Sequence, residues 1–354
     1  MAGQMNSYQI TAFAEPLELR CTEIPQPKGT EVLVRVERAG VCHSDLHIWH
    51  GYFDLGGGRK FEVSQRMTMP FTLGHEIVGE VIAAGPEAGV EVGQKGIVHP
   101  WIGCGTCYAC EAGAEIRCVG TPRTIGTRKD GGYSDHVLVP HGKYIVPYGN
   151  IEPGLAATCA CSGLTAYSAL KKLPKMGPDD AVLIIGAGGV GLACVGLASA
   201  VTDAKVIVSD VAEAKRAAAL EAGAKVAVDG ATPEGLEQIR KANGGRAPFA
   251  AIDFVGSPET LKLAMDSLAP GGTVISVGLY GGELPISTAL LPLRQLTVRG
   301  SYVGTLDELK ELVDVMQKQT VKGVPITTRP MAEVNAIITD LEAGKIVGRT
   351  VMVP

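Results

Sequence analysis

Between Glu31 and Glu37 (EVLVRVE) apolar and polar positions alternate, which puts Val32, Val34 and Val36 on one face of a half-buried strand. Turn signals recur at Pro25, Pro27, Gly51, Gly56 to Gly58, Gly85, Gly131 and Gly132, so residues 1–150 are expected to be mainly β. The texture changes near Ala181. The strings AVLII, KVIVS, KVAV, AIDFV and TVISV are separated by helical patterns, one of them Val211 to Ala222 with Gly223 where a helix-ending glycine belongs. Such alternation predicts βαβ units in a doubly wound parallel sheet. A helical stretch, Leu306 to Gln319, then precedes a short strand-like tail.

One apolar run needs separate treatment. Ala181 to Val201 carries no charge and is long enough to span a bilayer. It begins as a β-branched strand and then crowds in Gly186, Gly188, Gly189 and Gly191, an order that fits strand, sharp turn and buried helix better than one membrane helix. The chain has 354 residues, which favours two domains, and its 46% hydrophobic and 19% charged residues suffice for packed cores. Forty-six glycines are nearly twice the usual share of about 7%. They follow no collagen-like period and point to many close backbone approaches.

Charge narrows the partners. The net charge is −5 with no basic stripe, so a small molecule is expected rather than a nucleic acid or a membrane. Met1 to Leu17 has neither a basic start nor an apolar core of a secretory leader, and nine cysteines is an odd number. A cytoplasmic setting follows, with clustered thiols serving metals or catalysis.

Two motifs carry chemistry by spacing alone. Gly186-Ala187-Gly188-Gly189-Val190-Gly191 fits G-x-G-x-x-G between a predicted strand and helix, with Asp210 ending the next strand about 20 residues on. Bare backbone there lets a pyrophosphate approach a helix N-terminus, and an acid at Asp210 accepts from ribose hydroxyls while repelling a 2′-phosphate. NAD is therefore expected over NADP. Cys104, Cys107, Cys110 and Cys118 form C-x2-C-x2-C-x7-C, four thiolates able to close around one structural Zn²⁺. Thiols at intervals of three pair poorly as unstrained disulfides.

Gly40-Val41-Cys42-His43-Ser44-Asp45-Leu46-His47 and Gly74-His75-Glu76-Ile77-Val78-Gly79, taken with these two motifs, resemble the zinc-dependent alcohol dehydrogenases of the medium-chain dehydrogenase/reductase superfamily. The resemblance runs from about Pro25 to the end and is nearest the short, tetrameric bacterial and yeast type. It implies a GroES-like, mainly β catalytic domain from 1–160 and 300–354, and a Rossmann NAD-binding domain over 161–299. It makes Cys42, His75 and Cys161 ligands of a catalytic zinc, Cys161 fitting the family's C-x-G-x-T register and Cys159 falling two residues early. Glu76 would stand behind the ligands or join them transiently, and Asp45 would hold the far nitrogen of His75. Zinc would act as a Lewis acid on the alcohol, Ser44 would take its proton, and His47 would release that proton by way of the nicotinamide ribose. Hydride would pass to NAD.

The same resemblance assigns Lys215 to the adenosine ribose, Arg349 to the pyrophosphate and Val277 to the cofactor site, with solvated surface cations the other reading of Lys215 and Arg349. His43 stands where the family often has Arg, so the pyrophosphate would be held less firmly at alkaline pH. Gly51 to Leu73 is longer than the loop of the yeast type and either roofs the pocket with Trp49, Tyr52 and Phe53 or is a plain surface insertion. Trp101 and Tyr302 are expected to narrow a pocket for hydrophobic or aromatic alcohols. Polyol, amino-alcohol and formaldehyde dehydrogenases, a zinc-free quinone or enoyl reductase, which would not be expected to carry Cys42, His75 and the cysteine lobe, and a non-catalytic NAD-binding protein are the alternatives. A homotetramer, or a homodimer, paired through the cofactor domains is implied. Cys21, Cys159 and Cys194 have no assigned role.

Overall fold

A computed structural model describes residues 3–318 and 321–354. Strand Val32–Gly40 lies at the centre of a seven-stranded sheet ordered Ile145–Val146, Lys95–Val98, Glu76–Ala84, Val32–Gly40, Arg349–Val353, Ile326–Pro330, with His136–Val139 also pairing to Val32–Gly40. Val32, Val34 and Val36 are buried as the alternation predicts, each contributing about 1.5–3 kcal/mol relative to exposure, while Arg35 is exposed. Leu33 is buried too, paired between Ala83 and Leu138 of the neighbouring strands. A three-stranded sheet, Glu18–Glu23, Gln4–Ile10 and Phe71–Thr72, lies beside it.

The second half holds six parallel strands ordered Val226–Val228, Lys205–Ser209, Ala181–Ile185, Ala250–Asp253, Thr273–Ser276, Thr297–Gly300. The order reverses beside Ala181–Ile185, and the crevice at such a switch point is where open α/β sheets bind ligands. The apolar run after Ala181 is a strand, a turn and helix Gly189–Ala198, and no helix among the described residues is long and apolar enough to cross a membrane.

Several expected bounds shift. The helix expected from Val211 is Glu213–Ala222, because the Asp210 side chain accepts from the Ala212 N–H and takes up the first turn. Gly223 ends it in the left-handed region, φ +119°. The helix from Leu306 is described to Lys318, and Gln319 lies outside the described residues. The strand-like tail also contains a helix, Val334–Glu342, whose buried Val334, Ile337, Ile338 and Leu341 follow helical spacing.

Candidate active site

Strand register brings the first two residues expected to bind metal together. Gly40 pairs opposite Glu76, so Cys42, just beyond one strand, and His75, just before the other, emerge at the same sheet end. Gly40 must be glycine, since a Cβ there would stand 2.2 Å from Glu76 Oε2. The third residue comes from helical segment Pro153–Leu170, which packs on Val32–Gly40 and Glu76–Ala84 at one end and on Gly189–Ala198 at the other. Its middle, Cys159–Gly163, is a π-turn, a wider coil often found at functional sites. That turn aims Cys161 at Cys42 and His75, and the three ligand atoms lie within 4.8 Å of one another. Cys159 faces away, its thiol donating to Leu155 O and touching Met316 Sδ at 3.3 Å.

Asp45 organises the ligands. Its Oδ2 accepts from the Cys42 N–H at 2.9 Å and from the Tyr133 hydroxyl at 2.8 Å, and its Oδ1 faces His75 Nδ1 at 3.1 Å. With Nδ1 as the donor, His75 Nε2 carries a free lone pair, and this buried atom has no hydrogen-bond partner. Two buried thiols and an imidazole with an orphaned nitrogen fit zinc, and a three-residue set leaves a fourth position open. The electrostatics agree with a cation site. Burial opposes the charged imidazolium, yet the Asp45 charge and hydrogen bond and Cys42 outweigh it and push the His75 pKa well up. The thiol of Cys161, then Arg349 and His75, hold Cys42 well below an ordinary thiol.

Glu76 does not join the converging ligand atoms. Its Oε1 accepts from the Ser162 N–H at 3.0 Å and its Oε2 pairs with Arg349. Arg349 is buried, brought in because Val351 pairs with Gly40, and its Cδ lies against Gly189. It is no solvated surface cation, and its guanidinium joins the two halves of the molecule.

At the dinucleotide loop a Cβ on Gly191 would come within 1.8 Å of Gly186 O, so only glycine permits this turn. A Cβ on Gly188 would meet open space, and helix Gly189–Ala198 starts without a side-chain cap. Its bare N-terminus fits a pyrophosphate. Asp210 stands at the tip of Lys205–Ser209, accepting from the Ala187 N–H at 2.7 Å. Val277 follows strand Thr273–Ser276, its N–H donating to Asp253 O. His43, at the start of helix His43–His50, lies within electrostatic reach of half-buried Lys215 and of Arg349. Loss of surrounding water there, then Arg349 and Lys215 against the opposing Cys42, draws the His43 pKa below its ordinary value.

The four-cysteine lobe is closed. Its sulfurs lie within 4.8 Å of one another, with Cys104 to Cys110 at 3.9 Å, Cys107 to Cys110 at 3.5 Å and Cys107 to Cys118 at 3.9 Å. Tetrahedral zinc with Zn–S bonds of about 2.3 Å needs sulfurs about 3.8 Å apart. Backbone N–H groups of Cys110 and Val119 lower the Cys107 pKa to about 6, favouring the thiolate.

Residues 28–150 match the family model of the alcohol dehydrogenase GroES-like domain, and residues 189–318 match that of the zinc-binding dehydrogenases. An NAD-dependent alcohol dehydrogenase of Sulfurisphaera tokodaii is 36% identical over 99% of this chain and 100% of its own. An alcohol dehydrogenase of Geobacillus stearothermophilus is 32% identical over 98% of each chain. This chain belongs to the zinc-dependent alcohol dehydrogenases of the medium-chain superfamily. The crystal structure of an alcohol dehydrogenase from Aeropyrum pernix superposes with a TM-score of 0.89 at 32% identity, covering 99% of this chain and 100% of that one.

In this dehydrogenase a cavity of about 600 Å³ opens beside the metal-ligand set, lined by Ser44, Ile48, Phe53, Trp101 and Tyr302. Trp101 packs 5.3 Å from the His75 ring and 5.8 Å from the Tyr302 ring. The long Gly51 to Leu73 segment folds into hairpin Tyr52–Gly56 and Arg59–Glu62, walls the cavity with Phe53, Leu55 and Phe61, and reaches the other half through Arg59–Glu283 at 2.7 Å. It is more than a surface insertion. His47 is half-buried, stacked on Phe53 at 4.8 Å, and burial, then His43, lowers its pKa. Sequence reasoning missed Tyr133, which adjoins no motif and reaches Asp45 only through the fold. It also missed the Ser162 N–H, although Ser162 directly follows Cys161.

Proposed function

We propose that this dehydrogenase oxidises a primary or secondary alcohol with an apolar body, reversibly, to an aldehyde or ketone. The observation carrying this reading is the orphaned Nε2 of His75 beside the Cys42 and Cys161 thiols, next to a largely apolar cavity, in a chain that also carries a bare glycine loop at a helix N-terminus. Cys42, His75 and Cys161 would hold the catalytic zinc and the four-cysteine lobe a structural one. Bound zinc supplies Lewis acidity that lowers the alcohol pKa, and bound NAD supplies the hydride acceptor.

The chain's own groups do the rest. Asp45 fixes the His75 tautomer. Ser44, on the cavity wall, takes the alcohol proton, and His47, half-buried nearby, passes it to solvent. Its lowered pKa keeps it neutral and able to accept near neutral pH. Glu76 keeps Arg349 beside the glycine loop, where Arg349 meets the pyrophosphate together with His43. Asp210 and Lys215 bind the adenosine ribose, and Val277 lies against the cofactor. Trp101, Phe53 and Tyr302 exclude water from the reacting carbon.

Residues 1–160 with 300–354 would form the catalytic domain and 161–299 the cofactor domain, a division favoured by the return of Arg349–Val353 to the first sheet. Pairing of cofactor domains into a homotetramer and a cytoplasmic setting belong to the same reading, the latter favoured by nine free cysteines. Metal analysis followed by NADH formation across an alcohol panel tests it. Near two zincs per chain with turnover is expected, and one zinc without turnover overturns it.

A further inference from the structure

The cavity beside the metal-ligand set is not apolar throughout. Arg66 and Arg128 both line it. Arg66 comes from the long segment, and its guanidinium carbon lies 3.9 Å from the Phe61 ring centroid, which holds the cation in place. Arg128 sits in a tight loop, its N–H donating to Thr124 O while Thr124 and Thr127 share a 2.6 Å hydroxyl contact. Neither guanidinium has an ion pair or side-chain hydrogen bond among the described residues. The two acids in the same lining are engaged elsewhere. Asp54 accepts from the Gly56 N–H, and Glu115 from the Gly103 N–H, Lys143 and the Tyr144 hydroxyl.

Two unpaired cations in one cavity repel each other. Burial and the neighbouring Arg66 lower the Arg128 pKa, a cost that a bound anion would remove. The NAD pyrophosphate is not that anion, since residues 186–191 do not line this cavity. Tyr302 marks the path. Its ring packs 5.8 Å from the Trp101 ring and lines the same cavity as Arg66 and Arg128.

We propose that the substrate is a hydroxy acid, an alcohol whose apolar body crosses Trp101 and Tyr302 and whose distal carboxylate sits between Arg66 and Arg128. A planar carboxylate suits guanidinium groups, and its single charge suits a lining that also carries Asp54 and Glu115 better than a phosphate dianion does. The proposal rests on the alcohol oxidation argued above and names its substrate class.

The test compares 6-hydroxyhexanoate with 1-hexanol on the zinc-loaded enzyme with NAD. The hydroxy acid should have a kcat/KM about tenfold higher or more, expressed mainly in KM. Arg66→Gln with Arg128→Gln should bring the ratio to about one, and Arg66→Lys with Arg128→Lys, which keeps both charges, should retain a preference. No preference in the wild type, or a preference surviving the Gln pair, overturns the proposal. Turnover of 1-hexanol without any preference would sink the hydroxy-acid reading and leave alcohol oxidation standing. Turnover of neither alcohol, nor of any in the panel, would sink alcohol oxidation itself. Calorimetry on the NADH complex then judges the anion site separately: the monoamide of adipic acid should bind about tenfold tighter than hexanamide, and equal binding overturns the site.

Discussion

Replacing Asp45 by Asn keeps shape and volume while removing one acceptor, and the geometry dictates the consequence. Asp45 accepts three hydrogen bonds, from the Cys42 N–H, the Tyr133 hydroxyl and the His75 Nδ1–H, at 2.9, 2.8 and 3.1 Å. An amide oxygen at the Oδ2 position keeps the first two. Its NH₂ then faces Nδ1, which must become an acceptor, and the proton moves to Nε2, the atom needed by zinc. The opposite flip serves His75 but orphans the Cys42 N–H in a site from which water is excluded. Either way the open metal site weakens, by about 10- to 100-fold or roughly 1.4–2.8 kcal/mol. The assay is zinc competition against a graded chelator, counting metal per chain. One zinc should leave at lower chelator concentration than in the wild type, the lobe zinc should leave unchanged, and kcat should fall with the first. If Asp45→Asn releases both zincs at wild-type chelator concentrations, the tautomer argument is wrong.

Asp210→Gly should raise the ratio of NADP to NAD kcat/KM by about tenfold or more, because a carboxylate that repels a 2′-phosphate is gone; an unchanged ratio would remove Asp210 from the cofactor site. His99 is buried with Nδ1 unpartnered, and burial lowers its pKa to about 4. Below the unfolded value near 6.5 the unfolded chain takes up a proton that the folded one refuses, so this group's stability is full above pH 6.5 and is lost as pH falls toward 4. The loss approaches about 3 kcal/mol. Urea unfolding of wild type and His99→Phe at pH 7 and pH 4.5 should show the wild type losing more, and parallel losses would contradict the buried neutral imidazole.

The legible features were those whose geometry closes within a few residues. The glycine loop is one: Gly191 packs on Gly186 within a single turn, so spacing alone specifies it. The four-cysteine lobe is another, its sulfurs converging over a span of 15 residues, from Cys104 to Cys118. The strands AVLII and KVIVS read correctly because burial on both faces leaves a continuous apolar run. Helix Val334–Glu342 has helical spacing in Val334, Ile337, Ile338 and Leu341, but it is short and set between strands Ile326–Pro330 and Arg349–Val353. The open metal site became readable only by resemblance, since 118 residues separate Cys42 and Cys161 in number and no local rule joins them.

By itself, then, the sequence determined the two textures, the dinucleotide turn and the closed thiolate lobe, because each depends on contacts between near neighbours. Tertiary structure decided the rest. The pairing of Gly40 with Glu76 and Val351 turned Arg349 onto Glu76, a π-turn selected Cys161 over Cys159, and Tyr133 reached Asp45 across 88 residues. Arg66 and Arg128 share a cavity for the same reason: which side chains meet across a cleft is set by strand register and domain packing, to which residue spacing is blind.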